Sequence, residues 1–305
     1  MAETIRIIAP TDFSPAADRA TRRAVSLAAE LGAALHLVHV LPPREYLEQL
    51  FPPEDRSEVD AFRQRAERAL QERAQTSSAT LGVLPECQIY HGSAHQAILD
   101  AVAVTQASLV VLGAQGEHEG ELRAEGVGET ALKVAERCPV PTLFVRGGTF
   151  AHYSHVLGCV RGEPDPADRA VFEWANRISP ANLIHIVSAY SVPYERRLIE
   201  WGASSATIDV YATRERDSRS KRVAQLMKQI DLHPARVRLH IERGDPLEII
   251  LKTAARHEAD LLITGRRARR GALDAGPFGS VARQLAARAP IDVLIVPPPE
   301  APVAM

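Results

Sequence analysis

Two glycine-bearing stretches, Gly113 to Gly128 and Gly265 to Ser280, each follow a short apolar run, Ala107 to Leu112 in one case and Ala259 to Thr264 in the other. A strand that empties into a glycine loop and then a helix gathers unpaired N–H groups and the positive end of a helix dipole at one point. That is the chemistry of a phosphate cradle. A further apolar run, Ile5 to Pro10, ends in Thr11 and Asp12. A carboxylate exposed at the end of a strand accepts hydrogen bonds from hydroxyls or an amino group.

The two loops differ in charge. The first carries Glu117, Glu119, Glu121, Glu125 and Glu129 against Arg123 and His118, so it reads as a solvated acidic turn ahead of a phosphate site. The second carries Arg266, Arg267, Arg269 and Arg270 against Asp274. Guanidinium forks there suit an anion, and a basic surface loop or a pairing with the acidic loop are the other readings.

Catalytic and metal chemistry finds little support. His36 and His39, three apart on a strand, face opposite sides, and His91 and His95 have no carboxylate or cysteine at ligand spacing, so no metal is expected at either pair. Neither a Gly-x-Ser-x-Gly elbow nor a Walker loop is present. Cys87, Cys138 and Cys159 are far apart and read as buried thiols rather than a disulfide framework.

These residues must be positioned by a repeat. Ile5 to Pro10 answers to His155 to Val160, Ala34 to Val40 to Asn182 to Ala189, His91 to Leu99 to Arg243 to Leu251, and Val140 to Arg146 to Asp292 to Pro297. Within a half, strands alternate with helices, such as Pro15 to Leu31, closed by Gly32, and a long charged helix from about Asp55 to about Thr80. Short apolar strands separated by helices specify a mainly parallel sheet covered on both faces. The expected domains are residues 1–147 and 153–298, with a break at the glycines Gly147 and Gly148.

The chain has 305 residues, 46% apolar and 24% charged, with a net charge of −2, enough for two cores and without bulk attraction for nucleic acid or an anionic membrane. No apolar run approaches the roughly 20 residues of a membrane span. The opening Met1-Ala-Glu-Thr-Ile-Arg lacks the basic region and apolar core of a signal peptide, and the cytoplasm is the expected location. Val192 to Ser204 mixes Tyr194, Leu198, Ile199 and Trp201 with charge. Local packing of a helix on its own domain is the expectation, and a contact between halves or a partner surface is the alternative.

Ile8-Ala-Pro-Thr-Asp-Phe-Ser-Pro15, Leu35-His-Leu-Val-His-Val40 and Gly113-x2-Gly116-x9-Gly126 before Cys138-Pro-Val-Pro together resemble the universal stress protein family, twice over along the chain. The resemblance implies two tandem doubly wound α/β domains, Rossmann-like and adenine-nucleotide α-hydrolase-like, each with a mainly parallel five-stranded sheet and a ligand crevice at the carboxyl ends of the strands. It implies a stress-response binding or regulatory protein without catalysis of its own. The alternative is an ATP-binding switch, with magnesium and weak or no hydrolysis. Self-association through the final strands is the partner mode it suggests. Residue by residue, it places Pro10, Thr11, Asp12 and Val40 at an adenine and ribose, and Leu112, Gly113, Gly116 and Gly126 at the phosphates, with Val127 where a hydroxyl is expected. In the second half it keeps Gly265, Gly279 and Ser280 but places Arg161, Ala189 and Ala268 where Asp12, Val40 and Gly116 stand in the first.

Overall fold

A computed structural model describes the chain except for residues 1–3, 51–55, 115–126, 148–150, 163–164, 193, 231, 267–278 and 299–305. Two compact units form, residues 1–152 with 286–292 and residues 153–285 with 293–305.

The first unit runs β1 (Arg6–Pro10), α1 (Pro15–Leu31), β2 (Ala34–Leu41), α2 (Arg44–Leu50), α3 (Arg56–Leu81), β3 (Glu86–His91), α4 (Ala94–Thr105), β4 (Leu109–Gly113), α5 (Glu129–Arg137) and β5 (Thr142–Val145). Its strands lie in the order β3-β2-β1-β4-β5, all parallel. β1 is the switch point, because the chain leaves it toward β2 on one side and returns to β4 on the other. Ile7, Ile8, Leu37, Leu109 and Leu143 are fully buried, and each such side chain contributes about 1.5–3 kcal/mol of transfer free energy. α1 has the expected bounds because sequence brackets it at both ends. The Ser14 hydroxyl accepts the Ala17 N–H, Pro15 opens the first turn, and Gly32 closes the helix in the left-handed region.

The second half of the chain, mainly the second unit, repeats this order: β6 (Val156–Cys159), α6 (Pro166–Ile178), β7 (Ile184–Tyr190), α7 (Glu195–Glu200), α8 (Ser205–Gln229), a 3-10 turn (Pro234–Arg236), β8 (Val237–Arg243), α9 (Pro246–Arg256), β9 (Leu261–Gly265), α10 (Ser280–Arg288) and β10 (Asp292–Val296). The strand order is β10-β9-β6-β7-β8, and the pairs formed by β6 through β9 are parallel. The fold class read from the sequence therefore holds. α8 is rich in charged residues, yet Ile208, Ala212, Arg219, Val223 and Met227 form one buried stripe.

One expectation fails. The helix in Val192 to Ser204 does not pack on its own domain: α7 buries none of its residues, and Trp201 is 75% exposed, Tyr194 72% and Ile199 55%. Six residues are too few turns for an apolar stripe to wrap a core. Val192 goes inward instead, joining Tyr190, Ile208 and Ala212.

Candidate functional site

The registers establish which residues correspond. Ile7 pairs with Leu109 as Val156 pairs with Leu261, so Asp12 at the end of β1 and Arg161 at the end of β6 occupy the same place, and Phe13 answers to Gly162. Thr11 N–H donates to the Val38 carbonyl, and Val160 N–H to that of Val187. Phe13 and Gly162 both have φ 65°, a backbone conformation that is free for glycine and strained for phenylalanine.

In the first unit this turn is closed on itself. An Asp12 carboxylate oxygen accepts the Ser14 N–H at 3.0 Å and the Thr11 hydroxyl accepts the Phe13 N–H at 3.1 Å. The Phe13 ring stacks on His39 at 4.3 Å, and His39 Nδ1 donates to the Thr11 carbonyl at 2.7 Å. From α3, the Arg73 guanidinium lies 4.7 Å over the Phe13 ring, donates to the Phe13 carbonyl at 3.0 Å and pairs with Asp18 at 2.7 Å. Thr11 is buried, while Pro10 and Val40 are half-buried. A hollow of about 480 Å³ in this unit is lined by Ala28, Gly32, Ala34, Val83 and Glu86, at the amino ends of β2 and β3.

The second unit holds its turn open. Both Asp168 carboxylate oxygens, from the first turn of α6, accept backbone N–H groups, Arg161 at 3.0 Å and Gly162 at 2.9 Å. Burial pushes this carboxyl up to about 6, against the two hydrogen bonds that favour its charge. From α8, Arg222 donates to the Gly162 carbonyl at 3.1 Å, and Arg219 donates to the Arg161 carbonyl while pairing with Glu215 at 2.9 Å. Over this frame lies a cavity of about 460 Å³, bounded by Cys159, Val160 and Arg161 from β6, Val187 and Ala189 from β7, Thr264, Gly265 and Arg266 from β9, and Gly279 and Ser280 where α10 begins. That is the switch point of the sheet, at the carboxyl ends of the strands. The volume lies in the range of small-molecule pockets. Arg161, which pairs with Asp165 at 3.6 Å, and Arg266 bring positive charge to the wall, and the start of α10, the positive end of its dipole, lines the same space.

The universal stress protein family model matches residues 4–146 and again 152–297. The chain belongs to the universal stress protein family. A universal stress protein encoded 3′ of a QAH/OAS sulfhydrylase in Thermus aquaticus is 32% identical over 141 residues, 46% of this chain and 97% of the relative. Among solved structures, a universal stress protein from Archaeoglobus fulgidus superposes with a TM-score of 0.68 at 18% identity, covering 96% of this chain and 98% of its own. One from Pseudomonas aeruginosa does so at 0.67 and 20% identity, covering 97% and 94%. At these identities the two structures establish the shared tandem fold.

In this universal stress protein the residues expected in the two halves fall in the two units. Gly265, Gly279 and Ser280 line the cavity of the second unit, whereas Pro10, Thr11, Asp12, Val40, Leu112 and Gly113 belong to the first. Gly116 and Gly126 lie outside the described residues, as do Glu117, His118, Glu119, Glu121, Arg123, Glu125, Arg267, Ala268, Arg269, Arg270 and Asp274. Gly113 and Gly265 face a helix. A Cβ on Gly113 would stand 2.8 Å from the Ala16 backbone carbonyl, and one on Gly265 2.7 Å from the Ala167 Cβ. Their lack of a side chain lets the sheet close on α1 and α6. The helix after the first loop opens at Gly128, not Gly126, so the residue answering to Ser280 is Glu129. The first unit thus carries its own carboxylate at the helix start where the second presents a hydroxyl.

The sequence reading missed Asp168, Arg219 and Arg222. One signal for them existed: Arg73 and Arg222 are separated by the same 149 positions as the carbonyls they hold, those of Phe13 and Gly162. Cys138 and Cys159 are buried as expected, with burial pushing the Cys159 thiol up, whereas Cys87 is only half-buried. His36 is buried, and no helix among the described residues is long and apolar enough to cross a membrane.

Proposed function

We propose that this universal stress protein is a non-catalytic regulatory module whose second unit takes a phosphate-bearing small ligand, with adenine nucleotide, as ATP with magnesium, the first candidate. The carrying observation is the cavity at the carboxyl ends of β6, β7 and β9, which brings Arg161, Arg266, Gly279 and Ser280 together. The reading moves the expected ligand from the first unit to the second. Arg161 in place of a carboxylate favours phosphate over recognition of a ribose or amino group. A regulatory role fits the commitments of the cavity's acids: Asp168 holds two backbone N–H groups, and Glu215 is paired with Arg219.

The test is a thermal melt of the purified chain against ATP with magnesium. Ligand at 100 times its Kd adds about 2.7 kcal/mol to the folded state. The expected result is a concentration-dependent rise in Tm that Arg161→Glu weakens at least tenfold in apparent Kd and Asp12→Ala leaves unchanged. No rise at millimolar ATP removes nucleotide as the ligand. A rise that Asp12→Ala abolishes and Arg161→Glu does not places the ligand in the first unit and overturns the proposal.

A further inference from the structure

Away from the cavity, three histidines far apart in sequence meet on one face of the second sheet. His185 lies near the amino end of β7, His240 is in the middle of β8, and His257 caps the carboxyl end of α9, which packs against β7. The β7–β8 register pairs His185 with Arg238, so His240, two residues on, points to the same side of the sheet. An antiparallel crossover helix then delivers its carboxyl end to the amino ends of the strands.

The geometry is compact. Ring centroids lie 5.3 Å apart for His185 and His240, 4.3 Å for His185 and His257, and 4.6 Å for His240 and His257. His185 Nδ1 and His240 Nε2 are 3.0 Å apart, and one ring nitrogen from each of the three lies within 4.8 Å of the others. Zinc–imidazole bonds of about 2.0–2.1 Å in a tetrahedron put nitrogens roughly 3.3 Å apart, inside that spread. Nε2 of His257 is buried without a hydrogen-bond partner among the described residues, an orphaned polar atom that a bound ion would engage.

We propose that His185, His240 and His257 form a binding site for a divalent transition-metal ion of the zinc class, held by three imidazole nitrogens with a fourth position open to water. Nitrogen donors without thiolate or carboxylate suit zinc, copper or nickel over magnesium or calcium. Metal ligation requires neutral rings, and these are favoured: desolvation first and then the neighbouring histidines lower His185 to about 4, and desolvation followed by His257 lowers His240. Charges around the cluster are mixed. Arg238 acts on His185, while Arg256 and Glu242 act on His240 and pair with each other at 3.1 Å. The ion would join β7, β8 and the end of α9, stabilising the second unit independently of any ligand in the cavity.

The test is titration of the untagged full-length chain with Zn²⁺ in competition with a chromophoric chelator, together with Co²⁺ loading to read d–d bands of a low-coordinate nitrogen site. The expected result is one tight equivalent of Zn²⁺ and a rise in Tm. His257→Gln, which nearly keeps the side chain's volume, should lower affinity at least tenfold and abolish the cobalt bands, while His91→Gln/His95→Gln changes neither. Equal affinity in His257→Gln and the parent overturns the proposal, as does loss of the equivalent in the His91/His95 variant. If His185→Gln loses circular-dichroism signal, His257→Gln and the cobalt spectrum still decide.

Discussion

The two units carry the same turn at the end of their first strand and use it in opposite ways. In the first, Phe13 accepts a left-handed conformation and buries its cost under His39 and Arg73. In the second, Gly162 takes the same φ without strain, and Asp168 fastens the turn from beneath. Both units draw an arginine from the long helix to the carbonyl of that residue, Arg73 in one and Arg222 in the other. Duplication has kept the scaffold of the turn and varied what lies above it. In one copy the Phe13 ring stacks on His39 beside the turn, while in the other Arg161 borders a cavity.

The largest difference to exploit lies at the paired glycines. Gly113→Ala sets a Cβ against the Ala16 backbone, which cannot be trimmed, whereas Gly265→Ala meets chiefly the Ala167 methyl. Urea unfolding should give a loss of about 3 kcal/mol for the first and about 1 kcal/mol for the second. In double-mutant cycles Ala167→Gly should rescue Gly265→Ala, and Ala16→Gly should not rescue Gly113→Ala. Equal coupling in both cycles would show the two packings to be alike.

Asp168 accepts two N–H groups of its turn directly, whereas the first-turn acid of α1, Asp18, pairs with Arg73. The Asp168 carboxyl titrates at about 6 when folded and near 3.8 when unfolded, so between those values the folded chain holds a proton that the unfolded chain has released. The stabilisation from this group is therefore complete below the unfolded value and lost as pH rises through about 6. Comparing the parent with Asp168→Asn cancels the other titrations. The difference should move in favour of the parent by about 2 kcal/mol between pH 8 and pH 4, read from Tm or urea midpoints. A pH-independent difference would mean that the carboxyl titrates at its ordinary value. Arg161 and Asp165 also face this carboxyl and act in opposite senses.

The smallest effect is at the turn residue itself. Gly162→Ala should cost about 1 kcal/mol, since a Cβ there meets Ser188 Oγ at 3.1 Å in a conformation unfavourable to side chains. Phe13→Gly should change stability by less than about 1 kcal/mol, because relief of strain offsets lost ring contacts. A large loss there would mean that the ring, not the turn, holds the first unit together.

Sequence disclosed the parts of the fold that obey local rules. The strands were legible from apolar runs, and α1 from Ser14-Pro15 and Gly32, because hydrogen bonds along the chain are set by near neighbours. Loop glycines were not, since three of them, Gly116, Gly126 and Gly128, could each open the next helix; only the hydrogen-bond pattern selects Gly128. Contacts across long separations were also hidden. Arg219 reaches Arg161 over 58 positions, and His185, His240 and His257 meet only through sheet register and a helix end. Trp201 misled because six helical residues carry too little periodicity to distinguish a face toward the core from one toward water.

Both of the chain's tryptophans, Trp174 and Trp201, belong to the second unit. Trp174 is 8% exposed beneath the Arg177 guanidinium, and Trp201 stands in water. Intrinsic fluorescence is thus an optical channel for one half of the molecule, with a blue-shifted component from Trp174 and a red-shifted, readily quenched one from Trp201. A denaturation followed by tryptophan emission reads the half that contains the cavity and the three histidines, while far-ultraviolet dichroism reads both. Any lag between the two signals measures how far the halves unfold as separate bodies.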